Sequence, residues 1–402
     1  MTFTLPHIAL IGSGPAALMA VDRLASSSRK LTLTVFEKRA GPAWKLFVAG
    51  SSGLNVTNSA DLSQFAQQYS GPPSHWSAAL KMFSPEDWIR FLETDLDQKT
   101  FLGTSGRYFV ETMHAAKLVR AWKKRLEEKG VRFAFHHELT GFNPLENGQW
   151  SLDFASGLNT NADRVILALG GGSYEPKETP LRWPLVLQEK DLEFTEFSPA
   201  NAGFHIVWKD GFLKEADGLP LKNVVFSNAK GSRKGDLIVT SYGIEGTPVY
   251  TLGEPGPAWL DLKPDLTLTQ VISRLTAPRE NLSLMRRAQK YLGLNPAALA
   301  LLFHMAPQSW KMDLQAFAEG IKHFPLDLES PRPLSESISS RGGLSWNNFD
   351  EDLQFKKLAG IYAVGEMIDW EAPTGGYLIQ GAVTQGAFVA VHVLNSLNEP
   401  CQ

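Results

Sequence analysis

Both ends of the chain share one pattern, a short apolar run that feeds into glycine. Ile8–Ile11 is uninterrupted by polar residues, as expected of a strand buried on both faces, and runs into Gly12. Ala16–Leu24 follows with helical spacing. Leu31–Phe36 reads as a second strand ending at Glu37, which completes a βαβ unit. Met113–Gly130 is a strongly amphipathic helix stopped by glycine. Val131–Phe135, Trp150–Phe154 and Arg164–Leu169 read as strands.

The pattern then changes. From about Asp191 to Leu262, alternating positions are broken by turn signals such as Lys230-Gly231 and Lys234-Gly235-Asp236. Leu268 to about His323 is mostly helical, and Pro331 and Pro333 mark a linker. Beyond it the opening pattern returns: the apolar run Ile361–Val364, then Gly365-Glu366, Gly375-Gly376 and a helical tail. The predicted fold is α/β, with a nucleotide-binding domain split by a cap. Residues 1–190 and 333–402 form the domain. Residues 191–265 form a β-rich insertion and 266–332 a helical one.

Gly12, Gly14 and Ala17 make a GxGxxA turn that follows a strand, opens a helix and precedes an acid about 20 residues on, Glu37. Gly12 permits the tight turn, Gly14 lets backbone approach a pyrophosphate, and Ala17 lets helix and strand pack closely. The helix N-terminus offers N–H donors and a positive dipole to phosphates. Glu37 is placed to accept hydrogen bonds from ribose hydroxyls, which favours FAD or NAD over NADP. The distant strand ending in Gly365-Glu366 decides for FAD, in the manner of the glutathione-reductase type of domain. Gly375 and Gly376 admit backbone close to the isoalloxazine. The helix beginning near Leu378 turns its positive end toward the flavin pyrimidine, where reduced flavin is negative.

Composition narrows the chemistry. The chain has 402 residues, 43% of them hydrophobic and 20% charged, with net charge −3. These values fit a globular protein and give no global attraction to nucleic acid or membrane. No apolar run of about 18 residues is evident, no signal peptide is read at the N-terminus, and a cytoplasmic protein is expected. The single cysteine, Cys401, excludes a dithiol near the flavin and hence a disulfide-reductase mechanism. The nine histidines show no metal-ligand spacing. No second GxGxxG is present for tightly bound NAD(P)H, so NAD(P)H is expected only as a transient reductant.

Five stretches carry a family resemblance: "IGSGPAALMA", "KLFVAGSSGLNVTN", "GRYFVETMHAAKLVRAWKKRLEEKGV", "GDLIVTSYGIEG" and "GLSWNNFDEDLQFKKLAGIYAVGEMIDWEAPTGGYLIQGAVTQG". With them the chain resembles the HI0933-like (YhiN/BaiN) family of NAD(P)/FAD-dependent flavoproteins, as a divergent subfamily. Ser52, Gly53, Leu54 and Asn55 stand where the family usually shows Gly-Arg-Cys-Asn, and Thr240-Ser241 and Glu245-Gly246-Thr247 replace Thr-His and Ser-Gly-Pro. The resemblance implies phosphate contacts at Ser13, Pro15 and Ala16, and adenosine contacts at Glu37 and Lys38. It places Lys45, Asn55 and Thr57 along the pyrophosphate and flavin, and Leu139 on the adenine side. Gly170, Gly365, Glu366, Tyr377 and Leu378 complete the flavin end.

The flavin carries hydride chemistry itself, so few obligatory acids or bases are expected. Lys45 is a candidate beside flavin N5 or the pyrophosphate, and Arg341 for holding an anionic substrate. Tyr242 and Glu245 lie in a family-matched loop expected to face the flavin. The expected function is an FAD-dependent oxidoreductase of a small molecule. Two alternatives stand beside it: an NAD(P)H-dependent reductase of uridine in ribosomal RNA, and a non-catalytic flavin-binding protein. The RNA reading rests on basic patches at Lys222, Lys230, Arg233 and Lys234, and at Arg286, Arg287 and Lys290.

Overall fold

The computed structural model describes residues 5–50, 54–175, 181–276 and 282–397. Ser52, Gly53 and Cys401 lie outside the described residues. The chain forms two compact units, Met1–Ser198 with Ser339–Gln402, and Pro199–Ile338.

The first unit is built on a six-stranded sheet. Its spatial order is Gln354–Phe355, Leu358–Ala363, Arg164–Leu167, His7–Ile11, Thr32–Glu37 and Arg132–Phe135. All neighbours pair in parallel except the Gln354–Phe355 edge. A central parallel strand is covered on both faces, which is why Ile8 to Ile11 carry no polar residue and are buried throughout. The strand contributed by the far end of the chain pairs Val165, Ile166 and Leu167 with Ile361, Tyr362 and Ala363.

Two helices from opposite ends of the sequence pack together in this unit. Pro15–Ala25 opens after Gly14, with proline in its first turn, where the missing N–H is not required. Tyr377–Ser396 runs against it so closely that a Cβ on Gly386 would sit 2.1 Å from the Ala16 carbonyl oxygen. A three-stranded antiparallel sheet, Leu139–Pro144, Trp150–Phe154 and Asn159–Ala162, links the outer strand Arg132–Phe135 back to the centre at Arg164–Leu167. A second small sheet pairs Asn55–Asn58 and Thr100–Leu102 with Arg107–Val110.

The first helix also carries a buried carboxylate. Asp22 is 1% exposed, accepts from Trp122 Nε1 at 3.2 Å, and pairs with Arg125 at 3.0 Å and Lys129 at 3.5 Å. These partners belong to the amphipathic helix Ala115–Glu128 and the residue that ends it. Asp22→Ala takes the carboxylate from Lys129 and the Trp122 N–H, and leaves Arg125 only its pair with Asp95 at 2.7 Å, and is expected to cost about 2–3 kcal/mol. Urea denaturation followed by tryptophan fluorescence checks this as a lowered midpoint.

The second unit is an antiparallel six-stranded sheet in the order Phe204–His205, Gly243–Glu245, Gly231–Thr240, Pro220–Asn228, Gly256–Asp261 and Phe324–Leu328. The sequence suggested two insertions, one β-rich and one helical, but the structure merges them. Phe324–Leu328, from the helical stretch, adds to the sheet beside Gly256–Asp261. Phe212, Phe226, Val271, Leu301 and Phe317 share one core. An antiparallel sheet with one apolar face needs a cover, and helices Leu268–Thr276, Pro296–His304 and Leu314–Lys322 supply it. The β-rich stretch itself also contains helices at Asp210–Ala216 and Thr247–Leu252.

One helix bears on the membrane expectation. Tyr377–Ser396 is long and apolar enough to cross a membrane by length and composition, although no such run was read from the sequence. Its glycines and polar residues disguise the run. In the fold, 67% of its 18-residue apolar window is buried, with the first helix as a neighbour, as in a core helix.

Candidate functional site

The first turn after His7–Ile11 is held in one shape. Gly12 has φ +100°, and a Cβ there would lie 2.2 Å from the Ala168 carbonyl oxygen. Both the conformation and the close approach therefore demand glycine. Gly14 differs: a Cβ there would meet nothing within 4 Å, so this turn faces open space beside a helix N-terminus. Ser13 and Ala17 are buried and Pro15 opens the helix. Ser13 Oγ donates to Glu37 Oε2, and Arg39 N–H donates to Glu37 Oε1 at 2.8 Å. Lys38 and Arg39 both reach Glu175, each at 3.1 Å. Leu139 is buried two residues beyond His137, whose N–H donates to the Glu37 carbonyl at 2.9 Å.

The distant segment arrives at the same helix. A Cβ on Gly365 would come within 3.3 Å of Ala16 Cβ. The Gly365 N–H donates to Gln385 Oε1 at 2.8 Å, and its carbonyl accepts from Trp370 Nε1 at 2.9 Å. Gly376 caps the last helix with φ +97°, where a side chain would run into the Thr57 backbone at 2.4–2.6 Å. Asn58 Nδ2 donates to the Gly375 carbonyl at 3.2 Å. The strand Asn55–Asn58 and the Gly375-Gly376 turn are therefore packed backbone to backbone. The Tyr377 carbonyl accepts from Tyr69 at 2.7 Å, and Leu378 packs at the edge of the core.

Lys45 and Glu366 face the glycine run after Arg164–Leu167. Lys45 Nζ donates to the Gly171 carbonyl at 2.7 Å and would lie 3.6 Å from a Cβ on Gly170. Burial pushes the Lys45 pKa below the ordinary lysine value, against the pull of Glu366. Burial pushes the Glu366 carboxyl up, partly offset by Lys45. Ser340 fastens the run by accepting the Gly172 N–H at 2.9 Å.

Two hydroxyls test whether a cofactor fits. Thr57 Oγ1 and Ser173 Oγ are fully buried and have no hydrogen-bond partner among the described residues. An unmet buried hydroxyl is costly unless a ligand completes it. Together with the open face at Gly14, they suit a long polar ligand such as FAD. Thr57→Val is expected to leave the unliganded protein as stable or more stable by about 1 kcal/mol. The same change is expected to weaken flavin binding about tenfold, near 1.4 kcal/mol. Thermal melts and flavin titration check the two signs.

The remaining candidates lie elsewhere. Arg341 is 53% exposed at its side chain and paired with Glu371 at 3.1 Å. Tyr242 and Glu245 belong to the second unit. There the Tyr242 hydroxyl donates to Glu245 Oε1, Tyr250 reaches Oε2 at 3.4 Å, and the Arg332 guanidinium lies 4.1 Å over the Tyr242 ring. Burial, then the hydrogen bond to Glu245, raises the Tyr242 pKa. Tyr250 and Arg332 were not read from the sequence, and nothing in their spacing marks them. Gln385 was also missed, though a glutamine in an apolar helix was a usable signal. No group of three or more potential metal ligands occurs among the described residues.

The sequence profile of the HI0933-like protein Rossmann domain matches residues 6–392, including the whole second unit. The chain belongs to the HI0933-like family. Two relatives of this HI0933-like chain are similar over nearly their full lengths. One is a 3-dehydro-bile acid delta(4,6)-reductase of Clostridium scindens, 21% identical over 94% of this chain and 97% of that protein. The other is a ribosomal RNA dihydrouridine synthase of Escherichia coli, 22% identical over 93% and 94%. Among solved structures, 3-ketosteroid delta1-dehydrogenase from Sterolibacterium denitrificans superposes with TM-score 0.52 at 12% identity, covering 97% of this chain and 99% of that one. A 3-ketosteroid-delta4-(5alpha)-dehydrogenase from Rhodococcus jostii gives 0.51 at 13%, covering 98% of each. At these identities the HI0933-like chain shares their fold.

Proposed function

We propose that this flavin-dependent oxidoreductase binds FAD in the first unit, in the manner of the glutathione-reductase type of domain, and oxidises or reduces a small organic molecule by hydride transfer without a dithiol relay. The observation that carries the reading is the meeting of the Gly365 turn with Ala16 in the first helix, which joins two segments from opposite ends of the sequence. The bile-acid reductase relative supports a small-molecule substrate.

When bound, FAD supplies the hydride chemistry. The residues at Gly12–Ala17 would hold its pyrophosphate through backbone N–H groups and the helix dipole. Glu37 would accept from ribose hydroxyls, and Lys38 and Leu139 would flank the adenosine. Asn55, Thr57, Lys45, Gly170 and Glu366 would line the flavin half. The N-terminus of Tyr377–Ser396, at Gly376, Tyr377 and Leu378, offers a positive dipole end that favours added negative charge. NAD(P)H is proposed as the transient electron donor.

The ribosomal RNA relative supports the alternative substrate. Weighing against it, Lys230 is paired with Glu254 at 3.1 Å and Lys234 with Asp265 at 2.7 Å, so that patch carries carboxylates among its cations. The deciding experiment is purification, identification of the released cofactor by absorbance and mass, and anaerobic titration with NADH and NADPH. Protein that is yellow and bleaches with either nucleotide supports the proposal. Protein that stays colourless with added FAD refutes it. Salt-sensitive RNA binding would favour the alternative, and bound flavin that no reductant or substrate touches would favour a non-catalytic role.

A further inference from the structure

Three indoles line up in the first unit. Trp370 follows the Gly365-Glu366 turn, and its Nε1–H donates to the Gly365 carbonyl at 2.9 Å. Its ring meets that of Trp76 edge-on, with centroids 5.2 Å apart and planes at 74°. The Trp76 ring meets that of Trp346 at 6.3 Å and 73°. Trp370 and Trp76 are buried, whereas Trp346 is half-buried and reaches the surface.

Apolar packing accounts for burying large rings. It does not by itself account for a graded series from a glycine turn to solvent. Each indole is also locked in place through its N–H: Trp76 donates to the Ser70 carbonyl at 2.8 Å and Trp346 to that of Asp369 at 2.7 Å. Tyr69 stacks on Trp76 at 4.1 Å and 17°. His75 touches the middle and the outermost indole, 5.3 Å from Trp76 and 5.0 Å from Trp346. Burial, aided by His392, pushes the His75 pKa down to about 4, so at neutral pH this ring does not oppose a positive charge on either indole.

We propose that Trp370, Trp76 and Trp346 form an electron-transfer wire between the surface and the flavin end of the cofactor site, giving the protein a light-driven one-electron activity. The inference rests on the reading above that the Gly365-Glu366 turn holds flavin. When bound, photoexcited oxidised flavin would be the oxidant, and Trp370 would be the residue that gives up one electron to it. Trp76 refills Trp370, Trp346 refills Trp76, and an external one-electron donor such as ascorbate refills Trp346. Summed over the steps, the donor loses one electron, the flavin gains one, and the three indoles are unchanged. Each indole N–H rests on a backbone carbonyl, too weak a base to take its proton, so the hole is expected to travel as a radical cation.

The test uses the FAD-loaded full chain under anaerobic conditions, excited by a blue flash and followed by time-resolved absorbance and electron paramagnetic resonance. The expected result is an indole radical cation that outlives the flash, and net flavin bleaching under steady light with ascorbate. Trp346→Phe strands the hole at Trp76 and removes the long-lived signal. Trp183→Phe, whose indole lies outside the series and whose Nε1 has no partner among the described residues, behaves like the parent. The inference is overturned if flavin that NADPH still bleaches gives no indole radical, or if Trp346→Phe leaves the radical lifetime unchanged. Protein that does not bind FAD at all brings down the underlying reading as well.

Discussion

Gly12→Ala is expected to purify without bound flavin and to melt several degrees below the parent. The backbone at Gly12 has φ +100°, a region that costs a side-chain-bearing residue about 1–3 kcal/mol. The added methyl would also lie 2.2 Å from the Ala168 carbonyl oxygen, so the turn and the end of Arg164–Leu167 must separate. That separation moves the N–H groups which face the open side of the turn. Two effects thus combine, one on folding and one on the cradle. Gly14→Ala is the contrast. Its Cβ has free space in the unliganded protein, so stability is kept while flavin affinity falls. Melting curves and the ratio of flavin to protein absorbance, measured on both variants, separate the effects. Equal flavin content in all three proteins would remove the turn from the site.

Lys45 gives the second large effect, and its sign depends on pH. Its pKa is lowered by burial, so in the folded protein it loses its proton below the ordinary 10.5. A cation there favours an anionic pyrophosphate or reduced flavin, and neutral lysine does not. Flavin affinity therefore falls as pH rises through the lowered pKa. Stability of the unliganded protein moves the other way, because across that window the unfolded chain binds more protons than the folded one, and ΔG of unfolding rises with pH. Lys45→Met is expected to bind flavin at least about tenfold more weakly near neutral pH, about 1.4 kcal/mol, and to show no step. Lys45→Arg keeps its charge throughout and loses the step while retaining most of the affinity, if the longer fork still reaches the Gly171 carbonyl. Flavin fluorescence titrations from pH 7 to 10 read all three. A step that persists in Lys45→Met would assign it to another group.

What the sequence disclosed and what it hid divide along physical lines. The central strand was legible because burial on both faces leaves no room for polar residues, and Ile8–Ile11 matches within a residue; Trp150–Phe154 was legible by alternation instead, with Trp150, Leu152 and Phe154 buried and Ser151 and Asp153 half-buried. Gly12 and Gly376 were legible because only one residue type tolerates their geometry. The fusion of the two insertions was hidden, since the pairing of Phe324–Leu328 with Gly256–Asp261 joins segments with no local signal for each other. Ser340 at Gly172 was hidden for the same reason, whereas Gln385 at Gly365 carried a signal, a glutamine in an apolar helix, without its partner being evident. Arg341 looked like an anion holder by its place before Gly342-Gly343, yet Glu371 engages it.

The contact between Ala16 and Gly386 also bears on how the protein is made. During synthesis the opening βαβ unit emerges with one flank of its helix bare, because the strand Leu358–Ala363 and the helix Tyr377–Ser396 that cover it are made only after the whole second unit. A greasy surface stays uncovered until then, and holding chaperones have something to grip in the meantime. Stop codons that remove the final helix are then expected to give aggregates and rapid degradation rather than a smaller working enzyme.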